Sequence, residues 1–248
     1  MRMTSLTLGI AAALLAVTPP VLREAPVPVS GEPHHHLRID TDDARVYYVE
    51  VAPHTSTLVH AHDLDYFYVT LSNSPNLTNR VVGKPEQHLS QSSGDMHYTR
   101  GGFAHSLSND GDAAFRNITV VLLKPQGEPR NLCGTILPDK PQNCDVASSA
   151  AGGKLSSVPE FATDQLEVNF DRVDAGLTFD FSNAPFRRIV IPLDGSDLEY
   201  RAPSKKAVSL HGGDVLEVPP GTQGALKNTG KLPARFYVAE FHATSAAK

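Results

Sequence analysis

Gly94-Asp95-Met96-His97-Tyr98-Thr99-Arg100-Gly101-Gly102-Phe103-Ala104-His105-Ser106-Leu107-Ser108-Asn109 occurs in this chain in two versions. The other is Gly213-Asp214-Val215-Leu216-Glu217-Val218-Pro219-Pro220-Gly221-Thr222-Gln223-Gly224-Ala225-Leu226-Lys227-Asn228. Upstream, His60-Ala61-His62-Asp63-Leu64-Asp65 is answered by Ser182-Asn183-Ala184-Pro185-Phe186-Arg187. Leu71 and His54 find their counterparts, Leu193 and Gly176, at that same offset. The turn glycines, the aspartates and the closing asparagines survive in both copies, whereas the imidazoles survive only in the first. A duplication that keeps its turns and replaces its histidines places the chemistry in the N-terminal half.

Alternate side chains of a strand share a face, so His60 and His62 point the same way. Tyr66-Phe67-Tyr68-Val69 continues with residues that favour strands. Gly94-Asp95 and Gly101-Gly102 are turn signals around a short segment. His105 opens the next strand-like stretch, and Phe115 to Leu123 follows it. Two inward imidazoles from one strand and one from a neighbouring strand can converge inside a barrel. Neutral imidazole is the commonest ligand of zinc, iron, nickel or copper.

These stretches resemble the two motifs of the cupin superfamily. The second motif of that family is glycine, five residues, Pro-x-Gly, two residues, His, three residues, Asn. It matches from Gly94 to Asn109 with Arg100 in place of proline, and from Gly213 to Asn228 with Gly224 in place of histidine. The first motif ends on a glutamate. Here His54 stands in the glycine position and Asp65 near the glutamate position, with Asp63 competing for that role. The resemblance covers residues 40–124 and 165–242. It implies an all-β chain of two cupin-type β-barrels (jelly rolls) in tandem. It also implies one divalent transition metal (Fe, Mn, Ni, Cu or Zn) on His60, His62, His105 and Asp65. Phe67, His97 and Asn109 are expected to line the pocket. Asn109 is further expected to hold backbone, because Asn228 persists where the imidazoles do not.

The rest of the chain fits this plan. Strand-like segments run through residues 37–40, 45–51, 166–170, 177–181, 188–191, 207–210, 215–218 and 234–241, joined by turns rich in the 19 prolines and 18 glycines. Residues 34–124 read as the N-terminal domain and 161–248 as the degenerate copy. Residues 125–160 read as a Pro/Gly/Ser-rich linker in which Cys133 and Cys144 close a disulfide loop. Residues 1–33 read as an export signal and lead-in. Arg2 precedes an apolar run, Leu6 to Val17, too short for a span of ~20 residues. An uncleaved anchor is the other reading of that run. The cysteine pair and the signal together place the protein in the periplasm or outside the cell.

His34-His35-His36 is expected to be solvated, flexible lead-in, and His88, His211 and His242 are expected to be structural. Arg187 would carry its charge into the second copy if it kept the parity of Asp65, making an anion pocket there. A net charge of −5 without a basic cluster gives no sign of a nucleic-acid or anionic-membrane partner. Three functions remain open: a metal-dependent enzyme (oxygenase, oxidase or isomerase-like) acting on a small molecule, a non-catalytic small-ligand-binding protein, and a structural protein. Monomer and homodimer are both compatible with the sequence.

Overall fold

A computed structural model describes residues 25–144 and 154–242. The N-terminal half contains β1 (Val27–Pro28), β2 (His35–Asp40), β3 (Ala44–Val51), β4 (Thr55–Ser56), β5 (His60–His62) and β6 (Tyr66–Thr70). It continues with β7 (Ser74–Val81), β8 (Gln87–Gln91), β9 (Met96–Thr99), β10 (Phe103–Asn109) and β11 (Phe115–Leu122). The C-terminal half contains β12 (Arg130–Asn131), β13 (Leu155–Ala162), β14 (Leu166–Val173), β15 (Thr178–Phe181) and β16 (Arg187–Pro192). Then come β17 (Leu198–Arg201), β18 (Val208–Leu210), β19 (Leu216–Val218), β20 (Gly224–Asn228) and β21 (Ala234–Phe241). The helical content of the described residues is one 3-10 turn, Val29–Gly31. None of their helices is long and apolar enough to cross a membrane.

Strand order exposes the duplication. One sheet of the first half runs β2-β3-β11-β6-β9, and its counterpart contains β13-β14-β21-β16-β19. The facing sheets contain β5-β10-β7-β8 and β15-β20-β17-β18. Each half is therefore a sandwich of two sheets in the same topology. This is the jelly-roll plan expected from the sequence, in a form where none of the four sheets closes on itself among the described residues.

Alternation along the strands builds three cores. Tyr47, Val49, Val51 and Phe115 point into the first sandwich and meet Leu77 of the opposite sheet. Val173, Val190, Phe236 and Val238 do the same in the second, against Phe181, Leu198 and Leu226. The intervening residues point outward, and they are apolar too. Val46, Phe67, Val69, Leu71, Ile118 and Val120 pack against Phe161, Val168, Ile189, Ile191, Leu193 and Ala239. The broadest core thus lies between the two halves, where one sheet from each buries its outer face.

The packing between the halves is reciprocal. A Cβ on Gly94 would lie 3.3 Å from Leu193 Cδ1, and one on Gly213 would lie 3.3 Å from Tyr48 Cε2 and 3.8 Å from Leu71 Cδ1. Equivalent glycines thus sit near equivalent leucines across the interface, as in a two-fold contact between subunits. Both glycines have positive φ, +95° and +96°. His54 is also left-handed, at φ 56°, and so is its counterpart Gly176 at 77°. His54 therefore occupies a position whose backbone suits glycine.

Two boundaries differ from the sequence reading. Ordered structure begins before residue 34, because Val27 and Pro28 pair in parallel with His60 and Ala61. Proline is tolerated there because β1 is an edge strand. The last residues of the expected linker, Leu155 to Glu160, belong to β13. Cys133 and Cys144 are disulfide-bonded, and the backbone of that loop docks on β13 through Leu132 N–H to Glu160 O at 2.9 Å and Cys133 N–H to Pro159 O at 2.8 Å. The apolar run Leu6 to Val17 lies outside the described residues.

Candidate functional site

The register of two strands assembles the histidines. β5 and β10 are antiparallel neighbours with His60 opposite His105 and Phe103 opposite His62. His60 and His62 are 1% and 4% exposed. Their ring centroids are 5.0 Å apart, and that of His105 lies 4.5 Å from His60 and 5.1 Å from His62.

A fourth imidazole comes from the segment expected to be solvated. After β1 the chain turns and enters β2, which carries His35 across to the same place. Its ring centroid is 4.8 Å from that of His60 and 6.3 Å from that of His62. One ligand atom from each of His35, His60 and His62 lies within 4.8 Å of the others. The His-His-His run hid this residue, since nothing in its own spacing distinguishes a ligand from a tail. The usable signal was Glu32, a carboxylate three residues earlier.

Glu32 is 2% exposed and fully engaged. It accepts hydrogen bonds from the backbone of His34 at 2.8 Å and of Leu58 at 3.1 Å. It also meets His34 Nδ1 at 2.8 Å and His35 Nδ1 at 2.7 Å. Burial alone would raise its pKa, but these histidine contacts bring it down to about 2.

The other imidazoles are oriented in the same way. His60 Nδ1 lies 2.9 Å from Leu58 O, and His105 Nδ1 lies 2.7 Å from Asn79 Oδ1. His35, His60 and His105 thus anchor Nδ1, which leaves Nε2 as the ring nitrogen open to a metal. His105 Nε2 and His62 Nδ1 are buried without a hydrogen-bond partner. Burial is the main cause that lowers the pKa of His60 to about 4, of His105 to about 3 and of His62 to about 2. Neighbouring imidazoles add to this in each case. Neutral rings, orphaned nitrogens and outer partners that fix the tautomer are the features of a site that fits a transition metal.

Asp65, the expected carboxylate, is turned elsewhere. Its oxygens accept from Tyr98 Oη at 2.6 Å, Arg100 Nη1 at 2.9 Å and the Gly101 backbone at 3.0 Å. Burial would raise its pKa, but these donors hold it below the ordinary carboxylate value. Gly101 permits the arrangement, because a Cβ there would lie 2.5 Å from the Leu64 backbone. Asp65 lies one residue out of phase with His62 and Tyr66, which face the cavity. Asp63 is exposed.

The cluster opens into a cavity of about 960 Å³, lined also by Tyr66, Tyr68, Gln91, His97, Phe103 and Arg100. Tyr66 stacks on His62 with centroids 4.1 Å apart, and His97 stacks on Tyr68 at 5.1 Å. His97 therefore lines the cavity. Phe67 does not: it is fully buried between the two halves and meets Phe161 edge-on at 5.9 Å. Asn109 does not either. Its amide donates to Val51 O and Ala113 O at 3.0 and 2.8 Å, and Asn228 donates to Val173 O and Leu232 O at 2.9 and 2.8 Å. Ile136 and Pro138 of the disulfide loop contribute to the cavity wall. His88, His211 and His242 do not line it.

In the second copy Arg187 follows Asp65 in parity and is likewise turned outward from the sandwich. Its guanidinium lies 3.5 Å from Asp43 and 3.3 Å from Glu217, so carboxylates of the protein occupy the expected anion position.

No protein-family model matches this sequence, and no curated protein matches it. Solved structures do. AerE from Microcystis aeruginosa is 14% identical, with a TM-score of 0.59, covering 85% of this chain and 94% of that one. A cupin 2 conserved barrel domain protein from Leptotrichia buccalis is 13% identical, with a TM-score of 0.53 and coverages of 84% and 88%. Salicylate 1,2-dioxygenase from Pseudaminobacter salicylatoxidans is 12% identical, with a TM-score of 0.60 and coverages of 83% and 75%. The chain has the fold of these cupin-type proteins.

Proposed function

We propose that the N-terminal sandwich binds one divalent transition metal (iron, manganese, nickel, copper or zinc) through His60, His62, His105 and His35. On this reading the protein is an exported, metal-dependent enzyme acting on a small molecule. The observation that carries it is the set of converging imidazoles whose outer nitrogens are anchored by Glu32, Leu58 O and Asn79. A bound ion supplies Lewis acidity, or oxygen chemistry if it is redox-active. The chain's own residues shape the cavity beside it. Tyr66 and Phe103 offer ring faces, and Gln91, held by Thr70 at 2.6 Å, holds the Tyr68 hydroxyl at 2.6 Å. A dioxygenase on the same fold, solved with gentisate, supports an aromatic-sized substrate for a cavity of this volume.

A second reading follows from His35. Four imidazoles would close a tetrahedral zinc site, and closed sites are structural. The protein would then be a non-catalytic ligand-binding or structural sandwich. The Cys133–Cys144 disulfide supports an oxidising compartment, periplasmic or extracellular, for either reading.

Elemental analysis of untagged protein tests the proposal. The wild type should carry about one equivalent of metal, lost in the His60→Ala/His62→Ala double variant. Iron, manganese, nickel or copper supports the enzyme, whereas tightly held zinc in a protein without turnover supports the second reading. Absence of metal in the wild type, with none taken up on reconstitution, overturns both.

A further inference from the structure

The C-terminal sandwich has its own polar cavity, where the first sandwich has its histidines. It measures about 170 Å³ and is lined by Ser157, Asn169, Asp171, Phe179, Arg188 and Glu240, among others. Register relates the two. Ser157 pairs with Asp171 on the neighbouring strand as His35 pairs with Val49, so Ser157 stands where His35 stands and Asp171 where Val49 stands. Ser182, the counterpart of His60, also lines this cavity.

The charges inside do not balance. Arg188 pairs with Glu240 at 2.9 Å and donates to Ser182 O at 3.0 Å. Asp171 is 0% exposed, and neither of its carboxylate oxygens has a hydrogen bond of ordinary geometry. Ser157 stands near enough to lower its pKa somewhat. Burial dominates, however, and with Glu240 it drives the carboxyl up to about 7. A buried carboxylate without a partner is costly unless it is neutralised. Phe179 presents its ring to the same space, the Phe181 ring is covered by the Arg188 guanidinium at 5.4 Å, and Asp180 stands at the exposed edge. Among the described residues, no three His, Cys, Asp or Glu ligand atoms converge here as they do around His60.

We propose that this cavity is a binding site for a small organic cation bearing a primary ammonium group, with Asp171 as its counter-charge and Phe179 as an aromatic face. An ammonium donates three hydrogen bonds, which suits Asp171, Ser157 and Asn169 together. Aromatic faces add cation–π attraction in a desolvated site. A divalent ion is the poorer fit, because it takes six or more oxygen ligands and Asp171 is the one buried carboxylate here that Arg188 does not already pair.

The test is ethylammonium titrated into the full chain at mildly alkaline pH, followed by amide shifts of residues 169–171 and 238–240. Saturable shifts are expected in the wild type. Binding should weaken about tenfold or more in Asp171→Asn, the loss of one charge-assisted hydrogen bond. Asp171→Val, which installs the residue found at this position in the first copy, should weaken it at least as much. Ethanol, the neutral analogue, should produce no saturable shift. Absence of shifts in the wild type, binding in both variants as tight as in the wild type, or equal binding of ethanol would each overturn the proposal. Tighter binding of magnesium than of ethylammonium at the same residues would also overturn it, in favour of a metal site.

Discussion

The two sandwiches share strand order, turns and capping asparagines, yet their interiors hold opposite chemistry. The first gathers His35, His60, His62 and His105, with Asn79 holding His105 in place. The second has Ser157, Ser182, Ala184 and Gly224 at those positions. Asn79 and His105 both have different residues at their places in the second copy. Strand register puts Tyr200 in the place of Asn79, and a Cβ on Gly224 would lie 2.6 Å from the Tyr200 ring. The tyrosine fills the space of the absent imidazole, so no histidine could return at residue 224 while Tyr200 stays. Inward positions can thus be exchanged as sets while the outward face, which joins the halves, keeps its apolar pattern.

That shared outer face offers the strongest way to break the comparison. If the halves were independent domains, truncating Phe67 would affect only the first. Because Phe67 packs between them, Phe67→Ala should cost about 3–5 kcal/mol and lower one cooperative transition common to both halves. Calorimetry checks this, and two separated transitions would show that the interface is incidental.

A smaller effect sharpens the contrast between the interiors. Asn79→Ala leaves every imidazole in place but frees His105 Nδ1. Metal affinity should fall about 10–100-fold, measured by competition with a chromogenic chelator. Unchanged affinity would mean that His105 is not a ligand.

The smallest effect concerns pH. The pKa of Asp171 is raised in the fold to about 7 from 3.8. Its protonated form therefore contributes stability that is full below 3.8 and is lost as pH rises from there to about 7. Asp171→Asn cannot ionise and should lack that loss. Melting temperatures compared from about pH 4 to about pH 9 should show the wild type falling relative to the variant up to about pH 7 and keeping a constant offset above it. A difference constant over the whole range would place Asp171 in an ionised state throughout. Val49, its counterpart, gives the first sandwich no such dependence.

Much of this was legible in the sequence, because it depends on periodicity and spacing. Period-two apolar runs marked the strands, and paired glycines marked turns whose positive φ values the structure shows. The repeat itself singled out His60, His62 and His105. The Cys133–Cys144 pair was readable from its compartment logic.

Other features were decided by tertiary structure. Asp65 and His62 are near in sequence, but strand parity and the Gly101 backbone turn Asp65 toward Arg100 and Tyr98. His35 looked like part of a flexible tail, yet β1 pairs with the strand bearing His60 and delivers it to the cluster. Phe67 could have faced a ligand or another sheet, and only the docking of the second half settled which. Local patterning determines which residues share a face of a strand. What that face meets depends on long-range register and on the packing of a distant sheet, which no single segment encodes.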